Sequence, residues 1–525
     1  MQFVSDPPIA EKIQQMKQRV RWQDPLILER DIDQTRLVLD DDKPDHPEFS
    51  FLVIGDTGFG SHKQHDPQRK IVEMMLNHRD DCRFVLHTGD VVYQVGSSEY
   101  YPKNFIKPYR EFLVDGDSHH KISYDKMVFN LPFLTIPGNH DYYDLPFIYG
   151  VMAQVTWPLR HLLKTKLDLN VGWHGSHKGK AYTKAFLDYL KPLKYWGQLE
   201  NHLDHHYTAK TDTGRCLRYQ PGKFTRLPNR YYTFRSGGID FFALDSNTFN
   251  SPAPIPDTRE GEAFRRLLEK RGDELEAEKM QLIEASVTLD ADNPEEAEQL
   301  DDLNVKLEQI DEVSLDINKQ LASDEETTID FEQLDWLRQR LIQSWQTQDV
   351  RGRVIYLHHP PYVTEATKWQ QAQTWAVRRR LRQVLDAVAT EVGDLAQGRP
   401  LVDLVLTGHA HCLEYLETVD TGHADSYIPW IICGGSGHSL RRQRKEGSEI
   451  MESVGFIDNN PSRLVARSHF YAGRHGHGSK KQRLYSFLRI DVLEGNPPKF
   501  RVQPFIAERC HRTWNNYSKE AFVIG

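Results

Sequence analysis

Apolar residues along the chain fall into short, nearly continuous runs, each stopping at a polar turn that contains Gly or His. FSFLVIGD (49–56), RFVLHTGD (83–90) and FLTIPGNHD (133–141) come first; IDFFALDS (239–246), GRVIYLHH (352–359), LVDLVLTGHAH (401–411) and YIPWIICGG (427–435) follow. Runs this short, rich in β-branched and aromatic residues, predict buried strands. Polar residues at their C-terminal ends stand where α/β folds place chemistry. The amphipathic stretch PQRKIVEMMLNH between the first two runs predicts a helix, and RLYSFLRIDVLE and KFRVQPFIAE predict a final pair of strands.

From 258 to 330 the period changes. Leu268, Leu275 and Leu282 repeat every seven residues, and Leu300, Leu303, Leu307, Ile310, Ile317 and Leu321 follow the spacing of a helical seam. Between them DADNPEE offers Asn293 as a cap, Pro294 as first helical residue and Glu296 for a capping box. Two antiparallel helices joined by a tight turn are predicted, with a disordered acidic linker as the alternative. A further helix is predicted from Asp330 through FEQLDWLRQRLIQSW, with Leu334, Leu337, Leu341 and Trp345 on one side. Because the hairpin's outer faces are so acidic, the expectation is an arm projecting from the body, whose removal leaves metal content and small-substrate turnover intact.

Composition adds bounds. With 525 residues, 39% hydrophobic and 27% charged, the chain has enough apolar mass for a large core. No apolar run approaches the roughly 18 residues of a membrane helix, and the N-terminus shows no secretory pattern, so a cytoplasmic protein with no membrane partner is expected. Five scattered cysteines, none in a CxxC pair, predict reduced thiols. The net charge of −9 conceals an uneven distribution, since residues 261 to 330 carry 22 acidic against 7 basic side chains. The remainder is therefore net basic and suits a body that handles anions and metals, with dispersed surface charge as the bland alternative. A nucleic-acid partner is not expected.

Five polar clusters at predicted strand ends are rich in metal-binding residue types: GDTG (55–58), GDVVY (89–93), GNHD (138–141), HHPPY (358–362) and GHAH (408–411). One four-residue match arises by chance with a probability of about 0.1 to 1%. Five in this order do not. The order resembles the calcineurin-like metallophosphoesterases, and more closely their purple, or tartrate-resistant, acid phosphatase branch. The resemblance covers roughly 48–141, 230–250 and 331–437, and includes ALDSNT, QLDWLRQRL and IICGGSG. Most of the superfamily has Asp-x-His in the first motif. Here position 58 is Gly, and a Tyr stands three residues after the second Asp, at Tyr93, as in the purple branch.

The resemblance implies an α/β fold: a four-layer αββα sandwich of two mixed β-sheets flanked by helices, with the antiparallel helical hairpin inserted. Residues 1–257 would form the first part of the metallophosphoesterase domain, with an extension at 1–47 and an insertion at about 142–230; 258–330 is the acidic hairpin and 331–525 the second part. It also implies two metal ions. Asp56, Asp90, Tyr93 and His411 would hold one, and Asp90, Asn139, His358 and His409 the other, with Asp90 bridging. Phenolate and carboxylate oxygens suit iron(III); amide oxygen and imidazoles suit iron(II), zinc or manganese. His359 is left as a substrate-facing or structural residue. His140 is assigned to transition-state stabilisation or leaving-group protonation, with Asp141 orienting its ring.

The implied activity is hydrolysis of phosphate monoesters by attack of a metal-bound hydroxide. One alternative keeps the site and makes the substrate a phosphodiester, such as a cyclic nucleotide or nucleic-acid end. Another reads the protein as an interaction module, with a vestigial site and a protein partner or self-association through 258–330. The purple branch often carries a further histidine after the HxP motif, and VTEATKWQQAQ has none. The basic stretches RRQRK (441–445) and RHGHGSKKQR (474–483) either face an anionic substrate or are solvated loops. Trp173, His174, His177 and HLDHHY (202–207) suggest a third metal site, or else surface histidines or a pocket lid.

Overall fold

A strand buried on both faces must divide its side chains between two cores, because successive residues point to opposite sides. In the computed structural model, Phe241, Val354, Tyr356, Leu404, Leu406 and Ile431 join one apolar cluster. Their immediate neighbours Phe242, Ile355, Leu357, Val405, Trp430 and Ile432 join another. The near-continuous apolar runs are thus explained by burial on both faces. The structure describes residues 4–58, 65–145, 175–290, 293–453, 462–476, 480–511 and 513–525.

The strands are β1 (Ile32–Leu39), β2 (Phe49–Ile54), β3 (Cys82–His87), β4 (Phe133–Thr135), β5 (Ala209–Thr211), β6 (Gly214–Tyr219), β7 (Tyr232–Ser236), β8 (Ile239–Ala243), β9 (Gly352–Leu357), β10 (Leu404–Thr407), β11 (Leu413–Thr418), β12 (Pro429–Cys433), β13 (Glu449–Ser453), β14 (Ser462–Ala472), β15 (Arg474–His475), β16 (Gln482–Leu493), β17 (Lys499–Cys510), β18 (Thr513–Ser518) and β19 (Phe522–Ile524). One sheet runs β13-β14-β11-β12-β10-β9-β8-β7-β1-β6-β5, and the other β18-β17-β16-β2-β3-β4, with β15 on β16 and β19 on β17. Each contains a parallel block: β8, β9, β10 and β12 in the middle of the first, and β2, β3 and β4 at one edge of the second. Phe51 and Phe84 meet Phe241 at 5.7 and 5.4 Å between ring centres, edge to face, so aromatic rings fill the space between the sheets.

The helices are α1 (Ile9–Arg19), α2 (Pro25–Glu29), α3 (Pro67–Met75), α4 (Asn139–Tyr142), α5 (Lys180–Phe186), α6 (Trp196–His206), α7 (Arg259–Val287), α8 (Pro294–Leu321), α9 (Phe331–Gln346) and α10 (Ala372–Val392). α9 starts where Asp330 accepts the Gln333 N–H at 3.3 Å, and it buries Leu334, Leu337 and Leu341 on the first sheet beside Val377, Leu381 and Leu385 of α10. α3 lies against β16 and β17 of the second sheet. The fold is therefore an α/β sandwich of two mixed sheets flanked by helices. The stretch before residue 48 contributes β1, which sits inside the first sheet between β7 and β6. Gly237 and Gly238, with φ of 55° and 74°, make the tight turn between β7 and β8 that a two-residue hairpin loop requires.

The hairpin forms as predicted. Thr258 caps α7 by accepting the Gly261 N–H at 3.1 Å, Pro294 begins α8, and Leu275, Ile310 and Ile317 pack together with Leu268, Leu282 and Leu321. Its expected position is corrected. α8 does not project from the body but lies along it. Glu298 pairs with Arg509 at 3.4 Å, Asp301 with Arg483 at 2.5 Å, and Asp302 with Arg474 and Lys481. Asp316 accepts the N–H groups of Ala372 and Gln373 at 2.8 and 3.1 Å, capping α10 from another helix. The acidic face predicted to be solvated is matched to buried or partly buried cations.

Candidate metal centre

The parallel strands of both sheets point their C-terminal ends at one place. β2, β3 and β4 deliver Asp56, Asp90 and Asn139; β9 and β10 deliver His358, His409 and His411. All are buried, with at most 5% exposure. Asp56, Asp90 and His409 adopt left-handed backbone, with φ of 55°, 56° and 66°, a conformation costly for residues with side chains and concentrated at functional sites.

Two sets of lone pairs converge there. The Tyr93 hydroxyl lies 2.9 Å from Asp56 Oδ1, 2.7 Å from Asp90 Oδ2 and 3.2 Å from His411 Nε2. His411 Nδ1 donates to the Ser439 carbonyl at 3.0 Å, so Nε2 of the neutral ring is an acceptor. One phenolic proton cannot serve three acceptors. At the second point His358 Nδ1 donates to the Thr88 carbonyl at 2.8 Å, and its Nε2 faces Asn139 Oδ1 at 2.9 Å and Asp90 Oδ2 at 3.3 Å. Donor atoms of Asp90, His358 and His409 lie within 4.8 Å of one another, a group of acids and imidazoles able to hold a metal. Among the described residues Asp90 joins both sets.

Electrostatics report the same demand for positive charge. Burial, with Asp90 alongside, raises the Asp56 carboxyl to about 8. Burial and the two aspartates push the Tyr93 phenol well above its usual range. Burial disfavours charge on His358, yet Asp90 outweighs it and lifts the ring to about 9. Bound cations would satisfy the same atoms, and the donors fit them: oxygens on one side, an amide oxygen and two imidazoles on the other, with a carboxylate between.

Position 58 explains the missing histidine. A Cβ on Gly58 would come within 1.8 Å of the Val91 carbonyl oxygen, while the Gly58 carbonyl accepts the Tyr93 N–H at 2.7 Å. The backbone carrying Tyr93 fills the space a side chain at 58 would need.

His140 lies beside the centre, its ring 4.3 Å from that of Tyr93 and its N–H on Asp90 Oδ1 at 2.8 Å. The expected role of Asp141 as orienter of that ring is corrected. Asp141 accepts the N–H groups of Gly138 at 2.9 Å and Val91 at 3.2 Å, tying two ligand loops together, because α4 turns it back toward its own N-terminus. His140 Nδ1 instead meets the Gln94 carbonyl at 2.5 Å. His359 is held by Ser246 Oγ at 2.8 Å and Asn250 Nδ2 at 3.2 Å, in the loop after β8. That loop is anchored by Arg230, which pairs with Asp245 at 3.1 Å and with Asp330 at 2.5 Å.

Several neighbours escaped the sequence reading. His438 stacks on Tyr93 at 3.9 Å, Gln373 Nε2 lies 3.2 Å from His409 Nε2, and Glu308 and Glu312 of α8 reach Arg441 and Lys368. Lys368 comes from the stretch that lacks the further histidine, and Arg441 from RRQRK. The expectation of solvated loops fails for Arg441, which is 1% exposed. Away from the centre, His202 meets Asp188 at 2.9 Å and His206 stacks on Phe224 at 3.7 Å, so these histidines have structural partners. Trp173 and His174 lie outside the described residues. All five cysteines are unpaired, and no described helix is long and apolar enough to cross a membrane.

Hard oxygen donors and imidazoles thus face one another at the strand ends of a two-sheet sandwich, an arrangement able to hold metal ions. The model of the calcineurin-like phosphoesterase family matches residues 49–305. The matched span includes Asp56, Asp90, Tyr93 and Asn139; His358, His409 and His411 follow it. No curated protein matches the sequence significantly. Among solved structures, the chain is similar to GAP50, the anchor in the inner membrane complex of Plasmodium, at 11% identity over 90% of this chain and 88% of that one, TM-score 0.36. It is similar to the purple acid phosphatase PPD1 of yellow lupin (Lupinus luteus) at 11% identity, over 91% of this chain and 53% of that one, TM-score 0.39. The likeness to PhoD is 12% identity over 91% of this chain and 70% of that one, TM-score 0.38.

Proposed function

We propose that the chain hydrolyses phosphate monoesters at a two-metal centre in which Asp56, Asp90, Tyr93 and His411 hold one cation and Asp90, Asn139, His358 and His409 the other. The observation that carries this reading is the convergence of Tyr93, Asp56, Asp90 and His411 on a point that one proton cannot satisfy. Cations held there supply a water of lowered pKa and neutralise phosphoryl oxygens. The chain's own residues do the rest. Thr88 and Ser439 carbonyls fix the His358 and His411 tautomers so that Nε2 faces the centre. Gln94 fixes His140 in the same way, leaving its Nε2 for a phosphoryl oxygen or the leaving group. Iron(III) with iron(II), zinc or manganese matches the donor types.

Elemental analysis and turnover of monoester and diester model substrates test this on wild type and Asp90→Asn. The variant is expected to lose both metals and at least about 10²-fold in turnover, because one carboxylate serves two sites. Retention of activity within about tenfold would sink the assignment. With iron loaded, a visible phenolate charge-transfer band present in wild type and absent in Tyr93→Phe identifies the tyrosine as ligand. Faster turnover of the diester would replace the monoester reading.

A further inference from the structure

Four charged side chains outside the ligand set gather beside the centre. Glu312 of α8 lies 3.2 Å from the Arg441 guanidinium through Oε1 and 2.8 Å from Lys368 Nζ through Oε2. Glu308, one turn earlier, lies 3.4 Å from Arg441 and 3.6 Å from His438 Nε2. Lys368 and Arg441 are each 1% exposed. The group is close to the ligands. His438 stacks on Tyr93 and stands edge-on to His411 at 4.7 Å, and the Arg441 N–H donates to the His411 carbonyl at 2.9 Å.

A carboxylate bridging a lysine and an arginine offers what a phosphoryl group offers: negative charge on acceptor-only oxygens. Buried ion pairs are weak contributors to stability, so their presence here calls for another reason. Arg441 Nε, buried, has no hydrogen-bond partner among the described residues, so the guanidinium keeps a donor in reserve. Further acids of α8 face the body on both sides of this pair: Asp302, about 15 Å along the helix from Glu312 at the usual rise per residue, pairs with Arg474, with Asp301 on Arg483 and Glu298 on Arg509 beyond it, while Asp316, one turn after Glu312, caps α10. The helix is therefore anchored on both sides, also by Lys319 on Asn250 and Gln320 on the Ala253 carbonyl, and between the anchors it places two carboxylates beside the centre.

We propose that Lys368 and Arg441 bind the anionic oxygens of the substrate phosphoryl group, and that Glu312, with Glu308 beside it, occupies their place until substrate displaces it. The inference rests on the reading of this centre as a phosphoesterase. It makes the two cations specificity determinants. A dianionic monoester matches the two carboxylates of Glu308 and Glu312 charge for charge, whereas a singly charged diester replaces only half of that charge, so the site favours terminal phosphates.

The test uses inorganic phosphate as probe on the full-length, metal-loaded protein, followed by calorimetry. Glu308→Gln/Glu312→Gln is expected to bind phosphate at least tenfold more tightly than wild type, and Lys368→Ala at least tenfold more weakly. Unchanged or weaker phosphate binding by the double glutamine variant overturns the displacement. Should that variant fold poorly, amide exchange on wild type decides: saturating phosphate is expected to lower protection of residues 305–316, and unaltered protection overturns the proposal. Phosphate binding that responds as expected, in a protein that hydrolyses no phosphoester, would keep the displacement and overturn the hydrolase reading. Intact hydrolysis with unresponsive phosphate binding would do the reverse.

Discussion

The two helices of the inserted hairpin are nearly equal in length, 29 residues in α7 and 28 in α8, and they meet the molecule in opposite ways. α7 carries eight acidic and six basic side chains and pairs several within itself, as in Arg266 with Glu262 and Arg271 with Glu274, with Lys279 on Asp311 of α8. It leaves Leu267, Met280 and Val287 more than half exposed. α8 carries nine acidic and only two basic side chains, and it spends them on Arg441, Lys368, Arg474, Arg483 and Arg509 of the body. Balanced charge at three- and four-residue spacing marks a helix that is self-sufficient in water. An unbalanced excess of one sign, in a chain whose remainder is basic, marks a helix with a docking surface of opposite sign.

Replacing residues 262–326 with a Gly/Ser linker breaks this comparison most severely. It strips six buried or partly buried cations (Arg441, Lys368, Arg474, Lys481, Arg483 and Arg509) of their partners at once and leaves the start of α10 without Asp316. The expected outcome is aggregation or loss of bound metal, read by size-exclusion chromatography and elemental analysis. A soluble variant with full metal content would mean that α8 is dispensable to the body. A finer cut sets Glu298→Gln/Asp301→Asn/Asp302→Asn on α8 against Glu269→Gln/Glu274→Gln/Glu276→Gln on α7. The α8 triple should cost about 2 kcal/mol in chemical denaturation, less than a fully buried pair because its carboxylates are partly exposed. The α7 triple should stay within about 0.5 kcal/mol. Equal effects would erase the distinction. A single change, Asp316→Ala, removes the acceptor for two N–H groups of α10 and should cost about 1 kcal/mol, with Asp316→Asn recovering part of it.

How much of the molecule was legible depends on how local the cause is. The nine predicted strands are present because burial on both faces leaves an apolar run that no distant contact can hide. β13 and β14 were not read, since their side chains alternate between half-exposed and buried and their sequences look like loop. Tyr93 could be placed from the missing histidine at 58, and the structure supplies the reason in the clash of any side chain there with Val91. The partner of His140 could not, because Gln94 is 46 residues away and the adjacent Asp141 is the more obvious candidate.

By itself the sequence determined the α/β class, the strand ends that carry the clustered acids, tyrosine and histidines, and the existence of a two-helix insertion, all properties of contiguous segments and their order. Only the tertiary structure decided where the insertion lies. A surplus of acid on a helix reads as solvated whenever its counter-charges are out of view, and here they are: Glu308 and Arg441 are 133 residues apart, Asp302 and Arg474 are 172. The energy of such a pair depends on its distance and on how far both charges are withdrawn from water, neither of which exists before the sheets close. That is why a helix expected to stand clear of the catalytic centre instead rests its carboxylates against it.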